Sequence, residues 1–307
     1  MDFGYRFLWR MLILVGFGIL NSLFFPGGDI LILYAILGVS LFIVRKWSSK
    51  SILITAIILL AQPVEWIHYC ISLFNPEYAL PDYHTNEFYK EVQEAAMYGN
   101  LVNYFYTNIT SGIIATIAWT ISVGRLLQTA GLFMLGYLIG RKELFVPTEK
   151  NIRFWIYTLI VSAFMFNPLL ELKEIMTSNE DHVVIGTLAI VFDMWQKLAF
   201  TFVIMSSFIL LYQRNFFMRV TSSLRYLGRM TLTIYILQSI IGTLFFLPIL
   251  LNLGKVCGGT VSLLISLLFV YLQIMFCKWW LSSHKQGPLE WTWHKLTWMN
   301  LRKNNKQ

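Results

Sequence analysis

Long apolar runs alternate with short polar gaps over the whole chain. A helix needs roughly 20 residues to cross the ~30 Å hydrocarbon core of a bilayer. Runs near that length predict eight spans, at about 7–25, 29–44, 51–74, 112–140, 154–170, 184–212, 226–251 and 260–281. The first two are short and meet at the turn Pro26-Gly27-Gly28, so a re-entrant hairpin is the alternative there. Pro63 predicts a kink in the third span, and Gly124-Arg125 interrupts the fourth.

Two polar stretches carry a helical period of their own. Within residues 75–110, Glu87, Glu91 and Glu94 share one helical face, while Phe88, Val92 and Ala95 share another. That pattern predicts an amphipathic helix at the outer interface, in a region crowded with tyrosines. In the tail, Leu289, Trp293 and Leu296 share a face, which predicts a helix along the membrane surface. The seventh span combines both kinds of signal. Thr231, Tyr235, Gln238, Ser239 and Gly242 form a polar, small-residue stripe along an otherwise apolar helix. Lipid gives such groups no partner, so the stripe must face other helices or a wet cavity.

Composition agrees with the pattern. Of 307 residues 57% are hydrophobic and 13% charged, and the mean hydropathy is +0.61. Soluble domains carry about 25% charged residues. The expectation is one all-α integral membrane domain over residues 1–307, a polytopic bundle of about eight transmembrane helices. The net charge of +8 does not imply a nucleic-acid partner, because the basic residues punctuate the gaps between apolar runs. Arg45, Lys46, Arg141, Lys142, the arginines at 214, 219, 225 and 229, and the basic tail fall on one side. Lys90, Lys173 and Lys255 fall on the other with most of the acids. The positive-inside rule then places both termini in the cytoplasm. The first span reads as a retained helix, since no small-residue cleavage site follows it.

The three cysteines show no metal-ligand spacing, so no metal site is expected. A disulfide between Cys70 and Cys257 requires a geometry that sequence does not supply. No phosphate loop, metalloprotease or nucleophile-elbow motif occurs. Candidate chemistry therefore rests on ionisable groups inside apolar runs, which are costly to bury there. Glu65 and His68, three apart, share a helix face, as a carboxylate orienting an imidazole base would; a buried pair fixing helix register is the alternative. Arg125 needs a counter-charge or a bound anion. Asp193 and Lys197, four apart, read as an internal ion pair that leaves Arg125 available. Asp29 opens the second span, where a carboxylate caps a helix or sits at the mouth of a cavity. With Tyr235, Gln238 and Arg229 it forms the candidate substrate-binding set.

Three stretches together carry a resemblance. They are Phe25–Gly38 (F-P-G-G-D-I-L-I-L-Y-A-I-L-G), Gly131–Arg141 (G-L-F-M-L-G-Y-L-I-G-R), and a C-terminal set. The last comprises G-R-M-T-L-T-I-Y-I-L-Q-S from Gly228, K-W-W-L from Lys278 and G-P-L-E-W from Gly287, within a signature region at 226–307. The ordered set resembles YeiB-like bacterial membrane proteins, the domain of unknown function 418 family. The resemblance implies a multi-pass protein of the bacterial cytoplasmic (inner) membrane, grouped with transmembrane acyltransferases. It implies transfer from acyl-CoA, as co-substrate rather than bound cofactor, to an extracytoplasmic sugar or lipid acceptor. Members begin with further helices bearing Leu-Asp-x-x-Arg-Gly. That motif is absent here, which implies an N-terminally shortened form. The alternatives are a transporter or flippase-like protein without acyl chemistry, and a non-catalytic membrane partner.

Overall fold

A computed structural model of the chain describes residues 3–304 other than Pro26, Glu180 and Val256, with side chains between 4 and 299. All secondary structure among the described residues is helical. Three helices are long and apolar enough to cross a membrane. They are α9 (Glu149–Thr177), the run His182–Tyr212 containing α10 (His182–Gly186) and α11 (Leu188–Tyr212), and α15 (Gly259–Ser283). Counting each of three bent pairs as one span raises the number to six: α3 and α4 (Ser49–Leu60, Pro63–Phe74; 47°), the run Leu101–Ser122 and α8 (Arg125–Arg141; 78°), and the run Asn215–Gly228, which contains α12 (Asn215–Val220) and α13 (Leu224–Gly228), with α14 (Thr231–Phe246; 78°). On α9, Ile160, Val161 and Phe164 are 59%, 58% and 72% exposed. Such rows of bare apolar side chains are stable only against an apolar solvent. The chain is a helical membrane protein. The first two predicted spans form α1 (Phe3–Ser22) and α2 (Ile30–Val44). The second has only 15 residues.

The chain divides into two compact units, with boundaries inside α2 and inside α7 (Ile113–Ser122). The first holds residues 1–36, 84–118 and 220–307. In it, α16 (Pro288–Asn304) packs Leu289, Trp293 and Leu296 onto Ile13 and Phe17 of α1 and Leu232 and Ile236 of α14. The apolar face that the tail's periodicity set toward the membrane surface packs here on two helices of the protein itself. Trp9 Nε1 of α1 donates to the Leu296 carbonyl at 3.1 Å, adding direction to an apolar contact. Met230, in the break before α14, is fully buried with Ile234 and Cys277 of α15. The amphipathic helix is α5 (Thr85–Tyr98). Val92 and Ala95 are buried, and Glu87, Glu91 and Glu94 are exposed.

The fourth apolar run differs from its prediction. Its helix begins at α6 (Leu101–Thr107) and passes through a π-helical turn, Asn108–Gly112, into α7. Polar residues 107–111 hid it, because in sequence they read as loop. The structure gives them partners: Asn108 is wholly buried and donates Nδ2 to the Leu23 carbonyl at 3.1 Å.

The second unit holds residues 37–83 and 119–219. Ile52 and Ala56 of α3 pack against Met134 and Leu138 of α8, and Gly131 lets the two backbones approach beside Leu60. The long helices α9 and α11 lie along one another, with Phe166 and Phe200 in ring contact at 5.6 Å. Asp193 of α11 pairs with Lys197 at 2.5 Å, as its spacing predicts, and also with Lys173 of α9 at 2.7 Å.

Candidate functional site

The turn between α1 and α2 organises the site in the first unit. Carbonyls of a turn between helices have no partner within either helix, and hydrocarbon offers no water. Side chains from other helices supply the missing donors. Tyr104 Oη donates to the Phe24 carbonyl at 3.1 Å, and Thr243 Oγ1 donates to the same oxygen. Thr116 Oγ1 donates to the Gly27 carbonyl. Gly27 and Gly28 follow at φ +94° and +84°, the left-handed region that glycine enters without steric cost.

Asp29 leaves this turn 3% exposed. Tyr235 Oη donates to its Oδ1 at 2.5 Å, joining α2 to α14 across 206 residues of sequence. The N–H groups of Ile30 and Leu31 and the Asn21 amide surround the carboxylate. None makes a well-directed bond to Oδ2, which is buried without a partner. The Asn21 side chain is fully buried, and its two polar atoms lack partners as well. Unused hydrogen-bonding capacity thus collects beside one carboxylate.

Tyr235, the partner of Asp29, lines a cavity of about 430 Å³, whereas Asp29 and Asn21 lie behind it and do not line it. Its polar wall is the stripe read from the sequence, Tyr235, Gln238, Ser239 and Gly242, continued by Thr243. Phe24, Phe25 and Phe246 furnish its apolar wall. Thr231 stands exposed at the start of α14, outside the cavity. Gln238 Nε2 donates to Gln273 Oε1 of α15 at 3.1 Å, while Gln273 Nε2 is buried without a partner. Nearby on α5, burial pushes the Tyr89 phenol above its usual range, partly offset by the Thr116 hydroxyl, so it remains a neutral donor. Arg229 lies in the break before α14, donates to the Lys285 carbonyl at 2.6 Å and does not line this cavity.

Glu65, His68 and Arg125 lie in the second unit, at a crossing of two broken helices. The α3–α4 break places Gln62 at φ +58°, and the α7–α8 break places Gly124 at φ +65°. The fully buried Gln62 amide, in the orientation that satisfies it, donates Nε2 to Glu65 Oε2 at 3.3 Å and to the Gly124 carbonyl at 3.1 Å. Glu65 is 5% exposed and lies against Gly124, at the N-terminus of α8, where the helix dipole favours a carboxylate. A side chain at position 124 would enter the space its Oε1 fills. His68 turns to the Tyr78 hydroxyl through Nδ1, so the structure gives Glu65 and His68 separate partners. Arg125 stacks on Trp119 at 4.9 Å, with its Nε buried and unpartnered. Trp195 Nε1 donates to the Leu60 carbonyl, freed by the first break, at 2.8 Å. Trp195→Phe is expected to orphan that carbonyl and cost about 1–3 kcal/mol. Denaturant unfolding in detergent measures this, and an unchanged midpoint would mean the bond is dispensable.

Residues 139–300, more than half of the chain, match the family described as "Protein of unknown function (DUF418)". The chain belongs to the DUF418 family. This agrees with the YeiB-like resemblance of its C-terminal motifs. The DUF418 chain is also similar to "Uncharacterized protein YxaH" of Bacillus subtilis (strain 168), with 24% identity across 95% of this chain and 71% of the relative. No solved structure matches this DUF418 protein significantly. Its three cysteines are free thiols. No group of three or more histidine, cysteine or acidic side chains suited to a metal ion occurs among the described residues.

Sequence reasoning missed Asn21, Asn108, Gln273 and Gln62 because, outside the α14 stripe, it rested on charged groups in apolar runs. Each is an uncharged amide on or beside an apolar run, and that signal is legible in the sequence.

Proposed function

We propose that this DUF418 protein is a membrane acyltransferase. It moves an acyl group from acyl-CoA to a hydroxyl of an extracytoplasmic sugar or lipid acceptor held in the cavity along α14. One observation carries the reading: Asp29 is hydrogen-bonded to Tyr235, whose ring forms the polar wall of an otherwise apolar cavity. An amphipathic acceptor fits such walls. Tyr235, donating to Asp29, keeps lone pairs for the acceptor hydroxyl. The acceptor proton passes through the phenol to Asp29 as the oxygen attacks the thioester carbonyl. The C–S bond breaks, and the proton ends on the departing thiol. Gln238 and Ser239 orient the acceptor. The protein lies in the bacterial inner membrane with both termini cytoplasmic, and α1 and α2 complete eight crossings. The uneven distribution of arginine and lysine between alternate gaps supports this topology.

The test uses purified protein reconstituted in liposomes with radiolabelled acyl-CoA and extracted envelope lipids and glycans. Label should move to an acceptor. Absence of both transfer and CoA affinity would defeat the reading.

A second reading, transport, has its own support. Broken helices whose unwound backbone meets buried polar groups line substrate paths in transporters. Gln62, Glu65, His68 and Arg125 would then form the path at the crossing in the second unit. Solute movement into proteoliposomes without acyl chemistry would favour it.

A further inference from the structure

We infer that the groove between α1 and α16 is a phosphate-binding site. It is a cavity of about 440 Å³ in the first unit, separate from the one along α14. Arg6, Arg10, Trp293, His294, Thr297 and Trp298 line it. The two arginines lie one turn apart on α1 and face the same way. Each stacks on a tryptophan of α16: Arg6 over Trp298 at 5.2 Å, Arg10 over Trp293 at 5.1 Å. Stacking engages the face of a guanidinium, whereas an oxyanion is bound by its N–H edge. The two tryptophans thus hold both guanidinium groups in the wall of one groove.

A second observation points to a ligand. Trp293 Nε1 is buried and has no hydrogen-bond partner. An indole N–H only donates, so its missing partner is an acceptor. The acid in the lining, Glu290, is already committed: Oε1 accepts the Thr233 N–H at 3.0 Å and Oε2 the Thr233 hydroxyl at 2.6 Å. Lys295, stacked on Trp291 at 4.6 Å, adds positive charge to the same helix. Two guanidinium groups, an indole donor and an engaged carboxylate suit a phosphate oxyanion better than a carboxylate ligand, because phosphate offers three or more oxygens in a tetrahedral spread. Basic pockets among membrane helices take phospholipid headgroups on these same terms.

The phosphate comes either from an anionic lipid or from a soluble phosphate ester, and two arms separate the sources. In the lipid arm, protein in neutral detergent is incubated with dihexanoyl phosphatidylglycerol, and retention is read by native mass spectrometry against phosphatidylcholine. In the soluble arm, inorganic pyrophosphate is titrated calorimetrically. Binding in either arm is expected and assigns the source. R6Q/R10Q should weaken it at least about tenfold, and W293F, which keeps an aromatic ring under Arg10 but removes the N–H donor, several-fold. R6K/R10K, which keeps the charge, should retain more affinity than R6Q/R10Q and report that the fold survives. Failure of the native protein to bind either probe would overturn the inference, and so would equal affinity in R6Q/R10Q. Neither arm involves acyl transfer, so the result is independent of the proposed reaction.

Discussion

Asp29→Asn is expected to lower the single-turnover rate of acyl transfer by about 10²–10⁴-fold, the range lost with a positioned general base. Asparagine caps a helix as well as aspartate does, so the start of α2 should survive the change. The amide still accepts the Tyr235 hydroxyl but no longer takes up a proton. Tyr235→Phe should produce a loss of the same order, because it severs the same path, and the double variant should be little worse than either alone. Non-additivity of that kind marks groups acting as a unit. Full activity in Asp29→Asn would remove Asp29 from the reaction and reduce it to a helix cap.

Gly28→Ala is the second large effect, this time on folding. The residue sits at φ +84°, and a Cβ there would lie 2.5 Å from the Gly112 carbonyl oxygen and collide with the Thr116 hydroxyl. A carbonyl of the π-helical turn is backbone and has little room to yield. Left-handed strain of about 1–2 kcal/mol adds to the clash, for a total of roughly 3 kcal/mol or more. Gly136→Ala makes the opposite control. That glycine lies inside α8, and a Cβ added there would meet nothing within 4 Å, so alanine should stabilise by up to ~1 kcal/mol. Thermal unfolding in detergent should move the two variants in opposite directions. If Gly28→Ala unfolds like the native protein, the close approach of the α1–α2 turn to α7 is wrong.

Two of the eight predicted spans and most of a third fall on single helices long and apolar enough to cross a membrane, at α9, α11 and α15, and three more overlap bent helix pairs that reach that length only when each pair is taken as one span. They were legible because hydrocarbon imposes one rule, that backbone polar groups be satisfied within the helix, and an apolar run of sufficient length satisfies it. The breaks at Pro63 and Gly124 were legible for a related reason, since those residues leave the helical backbone by covalent geometry or by lacking a side chain. The start of the fourth span was not. Its polar residues 107–111 are helical only because Asn108 and Thr116 bond to carbonyls of a turn more than 80 residues earlier.

Three features are set by the sequence alone: that the chain forms helices in a membrane, which face of α14 is polar, and which face of α16 is apolar. Each follows from periodicity, a property of neighbouring residues. Three others required the folded chain: that Tyr235 meets Asp29, that Gln62 rather than His68 meets Glu65, and that two arginines of α1 stack on tryptophans of α16. Those pairings join residues from distant parts of the chain or depend on rotamers that spacing does not specify. They are set by how helices cross and by where each unmet polar group in an apolar medium finds its partner.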